Sequence, residues 1–392
     1  MKEIDELKSR AIGLADSLKE ELHEIARYLK ENPEIGFSEF KATELITKKL
    51  RDHGFEISFP LRDIPTSFIA AHKGKVPRAK IAFMLEYDAL PDIGHGCGHN
   101  LIGAMGYLAA VVSSKLELPA EIAAVGCPGE ENFGGKVVMA SEGLFDRYDV
   151  AMLVHPATET GVFSTSNALD AIEFVYHGKE AHAAGCPEKG VNALDAVILL
   201  FNGINALREH VTSDVRIHGI IAEGGKAANV VPAKAVARFY FRAAEREYLN
   251  EVVRKAHNIA QGAAMMTGAE LEWNNYERSN DNFVANKPLS EVFKENLVHL
   301  GETNIRPPKE GFGSTDAGNV SHRVPTIHPY IAICDKDEFT SHTREFADHT
   351  VSDRALDKAL LAAKAMILTA IDLAYDTSKL ENIKKAFEGQ RS

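Results

Sequence analysis

Three apolar runs, Lys80 to Tyr87, Glu121 to Gly126 and Asp149 to Val154, have the length and flanking residues of β-strands, and they constrain the fold more than any other feature. The runs lead into Gly96-Cys97-Gly98-His99-Asn100, Gly129-Glu130-Glu131-Asn132 and Leu153-Val154-His155-Pro156. In open α/β sheets, ligands bind in the crevice outside the carboxyl ends of the strands. The pattern therefore carries a thiol, two imidazoles and two carboxylates toward one rim. A borderline-soft divalent cation takes sulfur, nitrogen and carboxylate oxygen of this kind. The rim reads as a metal site.

A chain of 392 residues is too long for one ordinary core, which predicts two domains. The net charge of -12 and the lack of Lys/Arg clusters argue against a nucleic-acid partner. No apolar run approaches the ~20 residues of a membrane span, and the amino end reads as an amphipathic helix rather than a signal peptide. The four cysteines, Cys97, Cys127, Cys186 and Cys334, lack CxxC spacing and are few for the length. A disulfide framework is not expected, and a reducing cytoplasm fits best.

Leu7, Leu14, Leu18, Leu22, Ile25 and Leu29 predict a first helix ending at Asn32-Pro33, with a second around Ala42 to Leu50. A strand at Ser67 to Ala71 and a helix from Asn100 to Leu116 add to an alternating βα pattern. From about Asn167 the rhythm changes: strand Ala168 to His177, helix Asn192 to Val211, strands Val215 to Ala222 and Ala235 to Arg242, helix Arg246 to Thr267, strand Ala269 to Tyr276. That β-α-β-β-α-β order is a ferredoxin-like unit. A helix around Leu289 to Leu300, a strand around Thr326 to Ile333 and a helix around Ala355 to Ala374 then resume the first style. A smaller domain is thus expected inside a larger one.

Each ligand candidate also has an ordinary reading. A cysteine in a glycine-rich turn is commonly a small buried hydrophobe, and a histidine after an apolar strand is commonly a satisfied core or capping residue. Cys97 and His99 together on one loop, however, form a short-spaced ligand pair. Glu130 and Glu131, between Pro128-Gly129 and Gly134-Gly135, can divide labour, one on a metal and one free to carry protons.

Asn32-Pro33-Glu34-Ile35-Gly36-Phe37, Tyr87-Asp88-Ala89-Leu90-Pro91, the Cys97/His99 loop, Glu130-Glu131, Val154-His155-Pro156 and Ala181-His182-Ala183-Ala184 follow in order. Gly224-Gly225 with Asn229-Val230-Val231-Pro232 and Gly313-Ser314-Thr315-Asp316 complete the series. In this order and spacing the chain resembles the dinuclear metallohydrolase family of aminoacylases and glutamate carboxypeptidases, nearly end to end. It most resembles the amidohydrolase branch with the auxin-conjugate and p-aminobenzoyl-glutamate hydrolases. Asn100, followed by Leu101-Ile102-Gly103, is more similar to p-aminobenzoyl-glutamate hydrolases and dipeptidases acting on β-alanyl-lysine-type or Xaa-Arg dipeptides.

The resemblance implies an α/β fold: a zinc-peptidase-like mixed-sheet catalytic domain (1–166 and 283–392) with an inserted ferredoxin-like dimerisation/lid domain (167–282). It implies two divalent ions per subunit, Zn or Mn in first place and Co or Ni as alternatives, held by Cys97, His99, Glu131, His155 and His342. His349 is the other candidate for the last ligand. Asp88 would orient a ligand, Glu130 would take and return the proton of a metal-activated water, and His182 would donate to the oxyanion in the partner subunit's site. Asn229 and Arg242, aided by Gly313, Ser314 and Thr315, would hold a substrate carboxylate; Arg238, on the same sheet face, is the fallback. Glu86 stands where other branches carry a histidine ligand.

The expected function is a metal-dependent amidohydrolase or dipeptidase that releases an amino acid with a free carboxylate. A homodimer through the inserted domain is implied, with a tetramer as the larger alternative. Two other readings compete: a thiol hydrolase with Cys97 as nucleophile, and an inactive relative that holds metal or ligand. The first leaves Glu130-Glu131 without a role, and the second leaves Glu130 without one.

Overall fold

Amphipathic segments at the amino end become helices α1 (Lys2–Ser17), α2 (Lys19–Glu31) and α3 (Phe40–Asp52) in the computed structural model, which describes residues 2–74, 77–308, 311 and 313–390. The leucine periodicity through Leu29 predicts one helix, and the structure breaks it at Leu18. The Ser17 hydroxyl donates to the Leu14 carbonyl at 2.7 Å, a local bond that competes with the helical ladder, while the apolar stripe continues across the break.

The chain continues as β1 (Glu56–Ser58), β2 (Phe68–His72), β3 (Ala79–Leu85), α4 (His99–Lys115), β4 (Ala120–Gly126), α5 (Gly135–Ser141), β5 (Val150–Met152) and β6 (His155–Ala157). Then come β7 (Ala168–His177), α6 (Ala193–Leu207), β8 (Arg216–Glu223), β9 (Lys234–Ala243), α7 (Arg246–Thr267) and β10 (Glu270–Asn275). The last stretch holds α8 (Lys287–His299), α9 (Ala317–Ser321), β11 (Thr326–Ile327), β12 (Tyr330–Ala332), α10 (Arg344–His349), α11 (Asp353–Tyr375) and α12 (Thr377–Gln390).

These elements divide into two units: Met1–Thr165 with Phe283–Gly311 and Asp316–Ser392, and Ser166–Asn282 with a short segment ending at Thr315. The first carries a mixed six-stranded sheet, β1-β2-β4-β3-β5-β11, in which β4, β3, β5 and β11 run parallel and β2 is antiparallel to both β1 and β4. Helix α4 is buried from His99 to Ser114, apolar nearly all round because the sheet covers one side and α2 and α11 the other. The single strand expected around Thr326 to Ile333 is two short ones. β11 joins β5 in the main sheet and β12 pairs with β6, because Pro329 between them has no N–H to continue the ladder.

The second unit is a four-stranded antiparallel sheet, β10-β7-β9-β8, with α6 and α7 packed on it. Its own core includes Phe174, Phe239, Phe241 and Leu200. Alternate residues of β9 explain the two faces: Ala235, Ala237, Phe239 and Phe241 are buried under the helices, whereas Arg238, Tyr240 and Arg242 point the other way.

Candidate metal centre

The site begins where β3 ends. Glu86, Tyr87 and Asp88 follow the strand directly, and His99 is the first residue of α4. Gly98 precedes that helix in the left-handed region (φ 80°), which glycine adopts without a Cβ penalty. Gly103 lets α4 approach the strand end, since a Cβ there would lie 2.9 Å from the Glu86 carbonyl oxygen. The buried His99 Nδ1 is 2.9 Å from Asp88 Oδ1, and Asp88 Oδ2 accepts the Glu131 main-chain N–H at 3.0 Å. One carboxylate thus fixes an imidazole and the glutamate loop together. Burial alone would lower the His99 pKa, but the Asp88 charge and hydrogen bond, with Cys97 and Glu86, together outweigh it and raise it well above the ordinary value. Burial would likewise raise the Asp88 carboxyl, and His99 holds it below its usual range.

Cys97 Sγ lies 3.5 Å from His155 Nε2 and 3.4 Å from His342 Nε2. The far nitrogen of His155 is 2.7 Å from the Pro156 carbonyl oxygen, a contact that places the proton on Nδ1 and leaves Nε2 as a lone pair. Burial, then His328 and His99, push the His155 pKa down to about 3. Ligand atoms fall into three overlapping groups within 4.8 Å: Cys97, His99 and His155; Cys97, Glu131 and His342; His99, Glu130 and Glu131. Sulfur and nitrogen donors on one tetrahedral ion stand roughly 3.4–3.6 Å apart, given bonds of about 2.3 and 2.0–2.1 Å. His99 Nε2 is buried and makes no hydrogen bond to a described residue. These residues fit a divalent ion.

His342 takes a left-handed conformation (φ 66°), uncommon for a non-glycine residue, and its N–H donates to the Gly96 carbonyl at 2.8 Å. His349 points elsewhere, with Nε2 2.9 Å from the Ile333 carbonyl oxygen and 3.3 Å from Ser352 Oγ. Of the two alternatives, the structure brings His342 to Cys97.

Asn100 faces inward, its Nδ2 donating to the Ala26 carbonyl at 3.1 Å and to Thr350 Oγ1 at 3.0 Å. Aspartate would lose both donors, so asparagine here ties α4 to α2 and to the end of α10.

Sequence reasoning missed the charges behind this rim. Lys136, on α5, is fully buried, with Nζ 2.9 Å from Glu86 Oε1 and an ion pair to Asp316, which also accepts the Lys136 main-chain N–H at 2.9 Å. A lysine inside a short helix carries no signal of burial, although its place five residues after Glu131 is a weak pointer. Burial would raise the Glu86 carboxyl, but Lys136 and then the neighbouring imidazoles hold it well below its ordinary range. Glu130 is shifted the other way, raised well above the carboxylate range by burial, then by Glu86 and Asp316. Glu131 is raised too, first by burial.

The remaining candidates lie in the second unit. His182 is exposed, and its Nδ1 accepts the N–H groups of Ala184 (3.2 Å) and Gly185 (3.0 Å), which leaves Nε2 as the donor. Asn229 accompanies it, its carbonyl accepting the Ala183 N–H at 3.0 Å. Arg242 Nη1 donates to Ser314 Oγ at 2.8 Å, and Ser314 passes its proton to the Asn167 carbonyl, also at 2.8 Å. Ser314 therefore orients the guanidinium rather than offering a free hydroxyl. Gly313 contributes its carbonyl to the Asn167 N–H at 2.8 Å, and Thr315 is half-buried beside Ser314. Arg238 is engaged by Glu173 at 2.6 Å.

Asn229 and Arg242 are not together. His177, just before the His182 loop, pairs with Lys234 at the start of β9, while Arg242 pairs with Leu169 near its end. At roughly 3.3 Å per residue the two ends are about 26 Å apart, so within one unit the pair expected to share a carboxylate cannot do so.

Residues 168–265 match the peptidase dimerisation domain. The chain is 33% identical to the Xaa-Arg dipeptidase of Mus musculus across 98% of this chain and 93% of that protein. It is 34% identical to one of the subunits of the p-aminobenzoyl-glutamate hydrolase of Escherichia coli K12, over 71% of this chain and 62% of that one. Among solved structures, an aminobenzoyl-glutamate utilization protein from Klebsiella pneumoniae shares the fold at a TM-score of 0.70 and 18% identity, covering 92% of this chain and 97% of that one. The Bacillus subtilis YXEP protein, a dinuclear metal-binding peptidase of the M20 family, does so at 0.69 and 19%, covering 91% and 99%. The chain therefore belongs to the M20 family of metallopeptidases and amidohydrolases, close to the Xaa-Arg dipeptidases and p-aminobenzoyl-glutamate hydrolases, and is a metallohydrolase.

Proposed function

We propose that this protein hydrolyses the amide bond of dipeptide-like or aminobenzoyl amino acids and releases an amino acid with a free carboxylate. The observation that supports the reading is the set of overlapping ligand groups that share Cys97, His99 and Glu131, which offers donors enough for two ions. Cys97, His99, Glu131, His155 and His342 would hold them. Two divalent ions there would lower the pKa of a shared water and polarise the amide carbonyl.

Glu130 is the proton carrier in this reading. Its carboxylate is 3.9 Å from His99 Nε2 and largely buried, and Glu131 rather than Glu130 serves as the ligand of the pair. It takes the proton of the attacking water and delivers it to the departing amine nitrogen. Asp88 holds His99 and the glutamate loop in register. Arg242, braced by Ser314, offers a two-pronged donor for the product carboxylate.

His182 and Asn229 travel on one loop system at the far end of β9 from Arg242, so they would act together, in the site of a partner copy, with His182 Nε2 donating to the oxyanion. Edge strand β8 is where two copies would pair. It is one of the two edge strands of its sheet, and Ile220 and Ile221 are 62% and 46% exposed on it. The reducing interior of a cell, where thiols such as Cys97 persist, is the location this site suits.

Without an ion, burial pushes the Cys97 thiol up to about 12, with His99 only partly offsetting it, which disfavours a free thiolate nucleophile.

The test is hydrolysis of p-aminobenzoyl-glutamate, β-alanyl-lysine, Xaa-Arg dipeptides, indoleacetyl and N-acetyl amino acids, with chelator and with added Mn²⁺ or Zn²⁺. Chelator-sensitive release of an amino acid is the expected result and would identify the substrate. Turnover that survives complete metal removal would overturn the reading in favour of the thiol.

A further inference from the structure

The buried charges Glu86, Lys136 and Asp316 are absorbed by none of the roles above. Lys136 is 0% exposed, Asp316 0% and Glu86 1%. Taking three charges out of water is costly unless they are paired, and Glu86 Oε1 and Oε2, Lys136 Nζ and Asp316 Oδ1 make no hydrogen bond to a described residue, so ion pairing is what holds them. Here the ammonium is clamped on one side by Asp316, which holds both Nζ and the main-chain N–H, and on the other by Glu86 Oε1 at 2.9 Å. Two carboxylates against one ammonium leave one negative charge over. Glu86 Oε2, the oxygen Lys136 does not hold, lies 3.4 Å from His99 Nε2.

His99 Nδ1 is already engaged by Asp88, so Nε2 is the atom turned toward an ion. Two oxygen or nitrogen donors on the same ion, with bonds of about 2.0–2.2 Å, stand roughly 3.0–3.6 Å apart. Glu86 Oε2 is inside that range, whereas the nearest oxygens of Glu130 and Glu131 are each 3.9 Å from the same nitrogen. Gly103 lets α4 close on the strand end and so fixes the spacing.

We infer that Glu86 is a further oxygen ligand of the ion held by His99, and that Lys136, anchored by Asp316, is the positioning residue that aims it. This rests on the dinuclear metal reading above. It also gives a role to the Asp316 end of the Gly313-Ser314-Thr315-Asp316 stretch.

The experiment is Co²⁺ and Mn²⁺ titration of the metal-freed full chain, read by calorimetry and by the visible Co²⁺ spectrum, with no reference to turnover. Glu86→Gln keeps an oxygen for Lys136 and removes the ligand charge. It should weaken one of the two ions at least tenfold, change the Co²⁺ band intensities, and leave the melting temperature of the metal-free protein close to that of the wild type. Lys136→Met should weaken the same ion if it folds; Glu86→Gln carries the test if it does not. Two wild-type affinities and an unchanged spectrum in Glu86→Gln, while Cys97→Ser loses metal, would overturn this inference and leave the metal reading standing. A wild-type chain that binds neither ion would overturn both.

Discussion

The main-chain N–H of His342 donates to the carbonyl of Gly96 at 2.8 Å and so pins a loop near the carboxyl end beside Cys97, 245 residues earlier in the chain. The bond holds His342 in its left-handed conformation and its Nε2 3.4 Å from the thiol. Strain of this kind costs about 1–3 kcal/mol and persists where surrounding structure over-determines it. His342→Ala should therefore lower metal affinity, whereas His349→Ala, which breaks contacts to Ile333 and Ser352, should lower stability and spare metal content. Metal analysis of the two purified variants checks this, and the reverse pattern would exchange their roles.

Asp88 serves His99 and Glu131 at once. Asp88→Asn should cost roughly 10–100-fold in metal affinity, the range for a group that orients a ligand. Competition with a chelator of known affinity measures it, and a loss under twofold would make Asp88 a purely structural residue.

Glu130→Gln removes the proton carrier without removing a ligand. Turnover should fall by about 10²–10⁴-fold, with both ions still bound. The assignment fails if steady-state rates stay within tenfold of wild type.

His182→Ala should reduce turnover by ~10²–10³-fold, the range for one oxyanion donor, at unchanged metal content. Mixing the inactive His182→Ala and Glu130→Gln chains offers a sharper reading. Recovery of part of the wild-type rate shows that His182 acts in the partner's site, and no recovery after subunit exchange places it in its own.

Glu39 gives a pH dependence. Its carboxyl is wholly buried, accepts the Gly129 N–H at 2.8 Å and the Thr66 hydroxyl at 2.8 Å, and is raised from 4.5 to about 7 by burial and then by Asp88. A carboxyl raised in the folded state binds its proton more tightly there than in the unfolded chain. Its contribution is full below about pH 4.5 and is lost as pH rises to about 7. Between those values the wild type should lose up to about 3 kcal/mol relative to Glu39→Gln, which mimics the protonated form. Urea unfolding of both proteins at pH 5 and pH 7.5 checks it; parallel changes would show that Glu39 does not titrate there.

Where information was local, the chain was readable. Apolar runs such as Ala168 to His177 and Arg246 to Thr267 carry their own periodicity, and they form β7 and α7 with those same limits. The β-α-β-β-α-β order survives because each hydrophobic face has to be buried against the next element. Cys97, His99, Glu131 and His155 could be singled out because strand ends and glycine-rich turns mark a rim before any fold is known.

What depended on distant partners was not readable. The apolar stripe of Leu14, Leu18 and Leu22 runs on through the break between α1 and α2, so periodicity conceals it. His342 and His349 look alike in a polar segment, and a hydrogen bond to Gly96 separates them. Asn229 and Arg242 belong to one family pattern, yet a ten-residue strand holds them at opposite ends. Glu86, Lys136 and Asp316 are ordinary surface residue types whose burial exists because three remote segments converge. Hydrophobic pattern writes secondary structure into neighbouring residues, but the electrostatics of a site are set by charges that only the folded chain brings within a few ångströms of each other.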